Sequence, residues 1–152
     1  MGNLTIFRIS SILALFFSLV GAILMVAFPW SYWWYSYEGG GYRYTGSGVV
    51  TIATFPYGIF IALVVIFLFI CFIISLLSLL PSVDIDRLYI IISLIFAVIS
   101  LIMIVIGAVI TASIMAAEEL YWTFGAAFYG GITGSIFTIL FMLIMVVTYE
   151  KK

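Results

Sequence analysis

The chain has 152 residues, of which 67% are hydrophobic and 7% charged, with a formal net charge of -1. That composition lies far outside the range of soluble globular chains, and a pI near 5.1 leaves no basic surface for nucleic acid. There is no His, which excludes imidazole ligation of haem or zinc.

In chain order, Ile9–Phe28 is the first stretch of about 20 apolar residues, the length that crosses a hydrocarbon core. It exceeds the h-region of a secretory signal, and Met25-Val26-Ala27-Phe28 is a poor small-residue cleavage site, so it reads as a retained span. Ala14, Ser18 and Ala22 recur at a four-residue step, the pattern that lets two backbones approach in lipid. Asn3-Leu4-Thr5 fits the glycosylation pattern but falls on the expected cytoplasmic side. Pro29 closes the span.

A long connection, 29–57, follows. Its first half, Ser31 to Gly48, reads SYWWYSYEGGGYRYTGSG, two aromatic runs about Gly39-Gly40-Gly41. Tyr, Trp and Thr favour strands, and a glycine break between such runs predicts a hairpin pairing Tyr32–Tyr37 with Tyr42–Gly46. Glu38 would then lie near Arg43. Alternation puts Trp33, Tyr35 and Tyr37 on one face and Tyr32, Trp34 and Ser36 on the other. Both faces are aromatic, so one can rest on the helices or headgroups while the other meets a partner or stays an exposed patch. Trp30, Tyr32, Trp33, Trp34, Tyr35, Tyr37, Tyr42 and Tyr44 are the candidate partner-binding residues. A plain aromatic belt at the membrane surface is the competing reading, since Trp and Tyr serve both roles. Val49-Val50-Thr51-Ile52 could add a third strand, and Pro56 sets up the next helix.

Gly58–Leu80 supplies the second span, ended by Pro81, and contains the one cysteine, Cys71, which reads as a small buried hydrophobe. Leu88 to about Ala117 supplies the third, with Ser93 and Ala97, then Ala108, Ala112 and Ala116, as further small stripes. Gly125–Tyr149 supplies the fourth. In it, Gly130 and Gly134 form a GxxxG pair flanked by Ala127, Gly131 and Ser135. The expected use of all these stripes is packing within one bundle. The short connections, 81–87 and 118–124, make consecutive helices antiparallel neighbours.

Arg8, Arg87, Lys151 and Lys152 fall on one side of the spans and only Arg43 on the other. Positive charge stays in the cytoplasm, so both termini and the 81–87 loop are expected there, with 29–57 and 118–124 outside a plasma membrane. Trp30, Trp33, Trp34 and Trp122 all lie on that outer side.

The spans carry no Asp, Glu, Lys, Arg or His and offer only Ser, Thr, Tyr and Cys71 as polar or reactive side chains. Glu38, Asp84, Asp86, Glu118, Glu119 and Glu150 all sit in connections or tails, with Asp84-x-Asp86-Arg87 reading as a polar turn. Catalysis and ion translocation need convergent titratable groups, so no enzyme activity, cofactor, metal or small-molecule substrate is expected. The scarcity of amides, with much Ile and Tyr, would suit a thermophile.

Four spans, cytoplasmic termini, a long first outer loop of strand character and a short second one resemble the claudin-type tetraspan superfamily. Phe28-Pro29-Trp30 resembles the Pro-x-Trp after the first claudin span, and Gly125-Ala126-Ala127-Phe128-Tyr129 resembles the Gly-Ala-Ser-Leu-Tyr opening of the fourth. The resemblance implies a left-handed four-helix bundle capped by a small outer sheet, and a role in association rather than catalysis. The family's Gly-Leu-Trp and its two disulfide cysteines are absent from this loop, so a paracellular barrier role is not carried over.

The expected protein is therefore an all-α, four-transmembrane-helix antiparallel bundle with a small extracellular β-hairpin or sheet. It is a non-enzymatic tetraspan protein that binds itself or other membrane proteins through its aromatic loop. The alternatives are an accessory subunit of a larger respiratory or transport complex and, third, an oligomeric pore.

Overall fold

The computed structural model describes residues 3–36, 42–47, 57–117 and 121–150. The order is α1 (Asn3–Ala27), β1 (Ser31–Ser36), β2 (Tyr42–Ser47), α2 (Tyr57–Leu79), α3 (Arg87–Ala117), β3 (Tyr121–Phe124) and α4 (Ala126–Thr148). The four helices are long and apolar enough to cross a membrane. They coincide with the four expected spans, with α1 starting earlier, at Asn3. At about 1.5 Å per residue even the shortest exceeds the ~30 Å hydrocarbon core.

Polarity is arranged for lipid. The exposed helix surface is Ile, Val, Leu and Phe, including Ile12, Phe16, Ile66, Phe69, Ile102 and Val109. The buried positions include Ser11, Ser18, Ser75, Ser93, Ser100, Thr111, Ser135 and Thr138. Such an exterior is the signature of a multi-pass membrane protein, since in water those side chains would drive aggregation. Ser11, Ser18, Ser100 and Thr111 donate to a carbonyl one turn back, as Ser11 does to Phe7 at 2.9 Å and Ser100 to Phe96 at 2.9 Å, whereas the hydroxyls of Ser75, Ser93, Ser135 and Thr138 are buried without a protein partner.

Each helix buries one stripe, at steps of three and four. On α3 it runs Ile90, Ser93, Ala97, Ser100, Ile104, Gly107, Thr111, Met115. On α2 it is Ile61, Val64, Leu68, Cys71, Ser75. This near-3.5 period is the one that keeps a stripe against its neighbours in left-handed packing.

The four helices form a ring in chain order, with α1 also packed against α4. The α1–α4 pair is the tightest. A Cβ added at Gly134 would lie 2.7 Å from the Gly21 Cα and 3.0 Å from the Phe17 carbonyl oxygen. The two backbones therefore touch, which in lipid is the main source of helix–helix attraction. Ala14, Ser18, Ala22, Ala127, Gly130, Gly131 and Gly134 are all buried in the interior. Gly21 belongs with them and was not singled out from the sequence. Beside this seam Phe17 stacks on Phe137 at 4.5 Å and on Phe141 at 5.8 Å.

The second small stripe of α3 is a correction to the expected packing. Ala108 and Ala112 are half-buried and Ala116 is exposed. The face turned into the bundle is the neighbouring one, Ile104, Gly107, Thr111 and Met115. A four-residue step drifts off a left-handed seam, whereas alternating three and four stays on it.

At the end remote from the sheet, the Tyr149 hydroxyl donates to the Ile85 carbonyl at 2.9 Å and Asn3 Nδ2 donates to Glu150 at 2.7 Å. These bonds tie the start of α1, the α2–α3 turn and the end of α4 together. Asp84, Asp86 and Arg87 are exposed there.

Candidate functional site: an aromatic sheet and its anchor

Three antiparallel strands lie where α1 ends and α4 begins, in the order β2-β1-β3. The hairpin register is Ser31↔Ser47, Trp33↔Thr45, Trp34↔Tyr44, Tyr35↔Arg43 and Ser36↔Tyr42. The hairpin was expected; the central place of β1 was not. Its second neighbour is β3, from the connection read as a plain short loop, with Ser31↔Phe124, Trp33↔Trp122 and Trp34↔Tyr121. The signal was present in Tyr121-Trp122-Thr123-Phe124, four strand-favouring residues in a row. Val49–Ile52, proposed as the third strand, Glu38 and Tyr37 lie outside the described residues.

Trp30 anchors this sheet and is a correction to the candidate list. It is 2% exposed, so it presents no surface to a partner. Its indole N–H donates to the Thr111 hydroxyl at 2.9 Å, and that hydroxyl donates to the Gly107 carbonyl at 2.8 Å. The absence of a side chain at Gly107 makes room for the ring, since a Cβ there would lie 3.4 Å from Trp30 Cζ2. Phe128 meets the indole edge-on at 5.4 Å, and Phe124 at 6.3 Å. The Phe124 and Phe128 rings stack at 3.8 Å. Trp30 thus packs with Ala22 and Met25 of α1, Ile61, Val64 and Leu68 of α2 and Ile104 of α3 in one buried cluster. A buried Trp whose N–H finds a partner contributes its full apolar area without an unmet donor.

The backbone completes the anchor. The Gly125 N–H donates to the Trp30 carbonyl at 2.8 Å, and the Ala127 N–H donates to the Pro29 carbonyl at 3.1 Å. The first N–H groups of a helix have no partner within it, and Gly125 at the N-cap has no side chain to supply one. Pro29 supplies it from the far end of α1. The approach is so close that a Cβ at Gly125 would overlap the Pro29 carbonyl oxygen. Glycine is needed here for space; its φ of -93° is ordinary.

The anchor sorts the two faces of the sheet. Phe124 and Trp122, in edge contact at 4.8 Å, are half-buried, while Tyr121 is 57% exposed and Thr123 is exposed. Directly paired residues share a face. Ser31, buried and paired with Phe124, therefore lies on the side of Phe124 and Trp122, toward the helices. Tyr32, paired with Thr123, shares the face of Tyr121 and Thr123, the outward file. Tyr32 is half-buried, its ring beside Gly125. Of the candidate partner residues, Tyr32 thus falls in the outward file, while the side chains of Trp33, Trp34, Tyr35, Tyr42 and Tyr44 lie outside the described residues.

Among the described residues no three His, Cys, Asp or Glu side chains converge to hold a metal. Cys71 is fully buried and donates to the Ser93 carbonyl at 3.2 Å, joining α2 to α3.

Compared with known proteins, the chain matches no family model, no curated protein and no solved structure.

Proposed function

We propose that this is a non-enzymatic tetraspan protein of the cell membrane that associates with a partner protein, or with copies of itself, through the outward file of its aromatic sheet. The observation that carries the reading is the register, which separates an anchored file from one headed by the exposed Tyr121. Tyr, Trp and Ser make up most of the strands, a composition that gives large rigid contact area at low entropic cost with adaptable hydrogen bonding, as in binding loops. Arg8 and Arg87 lie at the opposite end of the bundle, which supports the sheet facing outward and the termini lying in the cytoplasm. The order of helices and strands is compatible with the claudin-type likeness, which rests on the two short stretches around Trp30 and Phe128.

The test compares Tyr121→Ser with Trp122→Ser by native mass spectrometry and crosslinking in mild detergent. Tyr121→Ser should leave the monomer folded and weaken association by about 30-fold, the loss of a hot spot of ~2 kcal/mol. Trp122→Ser should instead lower the thermal stability of the isolated chain. If neither changes association, the sheet is an interfacial anchor and contacts run through the helices, as in an accessory subunit of a larger complex.

A further inference from the structure

We propose that the half of the bundle interior remote from the sheet is a binding site for ordered water, held by the hydroxyls of Ser75, Ser93 and Thr138. These residues belong to α2, α3 and α4, are 0% exposed, and their hydroxyls have no protein partner. They flank one cluster. Ser75 and Thr138 lie one helical turn from Cys71 and Met142, and the Cys71 thiol donates to the Ser93 carbonyl at 3.2 Å. Cys71 and Met142 belong to one buried cluster with Ala14 and Ala97. Ser135, also without a partner, lies three residues nearer the sheet on α4. A buried hydroxyl without a partner has given up the hydrogen bonds it made to solvent. Orphans on three helices around one cluster call for a small ligand that both donates and accepts. Water does both, and a buried water typically bonds to about three such groups.

The packing supplies room and a route. In this half three helices turn small side chains inward: Ala14, Cys71, Ser75, Ser93 and Ala97. Nearer the sheet the interior is filled instead by Met25, Val64, Leu68 and Ile104. Leu68 closes on Gly21 and Ile104 on Gly131. The buried hydroxyls of Ser100 and Thr111 are already bonded, to the Phe96 and Gly107 carbonyls. The way in is at the opposite end, where Phe7, Ser78, Ile85 and Tyr149 line a cavity of about 30 Å³, enough for a water molecule. Phe7, Ile85 and Tyr149 also pack against the cluster of Cys71 and Met142, so the floor of the cavity is the outer wall of that cluster. Ser78 stands three residues along α2 from Ser75. The interior is thus wet on one side of Leu68 and Ile104 and dry on the other. The proposal does not depend on association through the sheet, since none of its residues belongs to the strands.

The test is X-ray radiolysis of the full chain in nanodiscs, which makes hydroxyl radicals from water where the water sits, read by peptide mass spectrometry. Met142 and Met25 are matched reporters, 0% and 2% exposed, the first one turn from Thr138 and the second in the cluster with Trp30. Met142 should oxidise several-fold faster than Met25. Thr138→Val keeps the volume but removes the hydroxyl, and Ser75→Ala removes the one on α2. Each should slow oxidation of Met142 and Cys71 and leave Met25 unchanged. A variant in which Met25 oxidises faster has loosened as a whole, and Ser93→Ala then takes its place with the same expectation. Equal rates at Met142 and Met25 in the unaltered chain would overturn the proposal, as would variants that leave the Met142 rate intact. The hydroxyls would then turn back onto carbonyls of their own helices.

Discussion

The indole N–H of Trp30 donates to the hydroxyl of Thr111 at 2.9 Å, joining the start of the sheet to the third helix across the bundle interior. Trp30→Ala should cost about 3–5 kcal/mol, through lost packing and a cavity lined by Gly107, Phe128 and Ile104. Thr111→Val removes the acceptor but keeps the volume, and should cost only about 1 kcal/mol, the scale of a hydrogen bond between helices in lipid. Thermal unfolding in detergent separates the two, and equal losses would mean that the bond, rather than the packing, holds the sheet.

The glycines of α4 should rank by what they touch. Gly134→Ala drives a Cβ into the Gly21 backbone, which cannot yield, and should cost about 1–3 kcal/mol. Gly130→Ala meets Leu24 close to its own Cβ and should be intermediate, whereas Gly131→Ala meets the Met25 sulfur, which can swing aside, and should be mildest. Ile139→Leu, further along the helix, is the control. A flat series would show that α1 and α4 are not in backbone contact.

Gly125→Ala tests the cap borrowed from Pro29. The added methyl group must push the Pro29 carbonyl away, breaking the bond from Ala127 and with it the seat of Trp30. The expected cost is about 2 kcal/mol or more, from a lost cap together with overpacking. Tryptophan fluorescence should shift to the red as Trp30 loses its dry site. An unchanged spectrum with unchanged stability would sink this account of the junction.

Orientation is tested with single cysteines at Ser47 and Lys152. Cys71 is buried, so it adds little background to a membrane-impermeant maleimide. Ser47→Cys should label in intact cells or spheroplasts, and Lys152→Cys only after permeabilisation. Labelling of both from one side would overturn the four-span topology.

The helices were legible because each is a run of apolar residues bounded by Pro, Gly or charge. The hairpin was legible because strand-formers flank three glycines. The role of Trp30 was hidden, since its one-dimensional context is an aromatic run. Only the fold shows that position 30 sits one residue before the strand and inside the bundle. β3 was hidden by its brevity: four residues make a strand only when a partner 90 or so positions earlier is waiting, a pairing that local pattern does not reveal. Gly21 escaped notice because the four-residue step through Ala14, Ser18 and Ala22 passes beside it, whereas the three-and-four rhythm of a left-handed seam includes it.

The pairing of β1 with β3 also sets an order of events during synthesis. The ribosome must add about 90 residues and two more helices must insert before Ser31 can meet Phe124, and at usual elongation rates this takes several seconds. Until then, the central strand has only β2 beside it, and Trp30 lacks Thr111, Phe124 and Phe128. A chain stalled after its second helix would therefore display the unpaired edge of β1 and an unseated tryptophan.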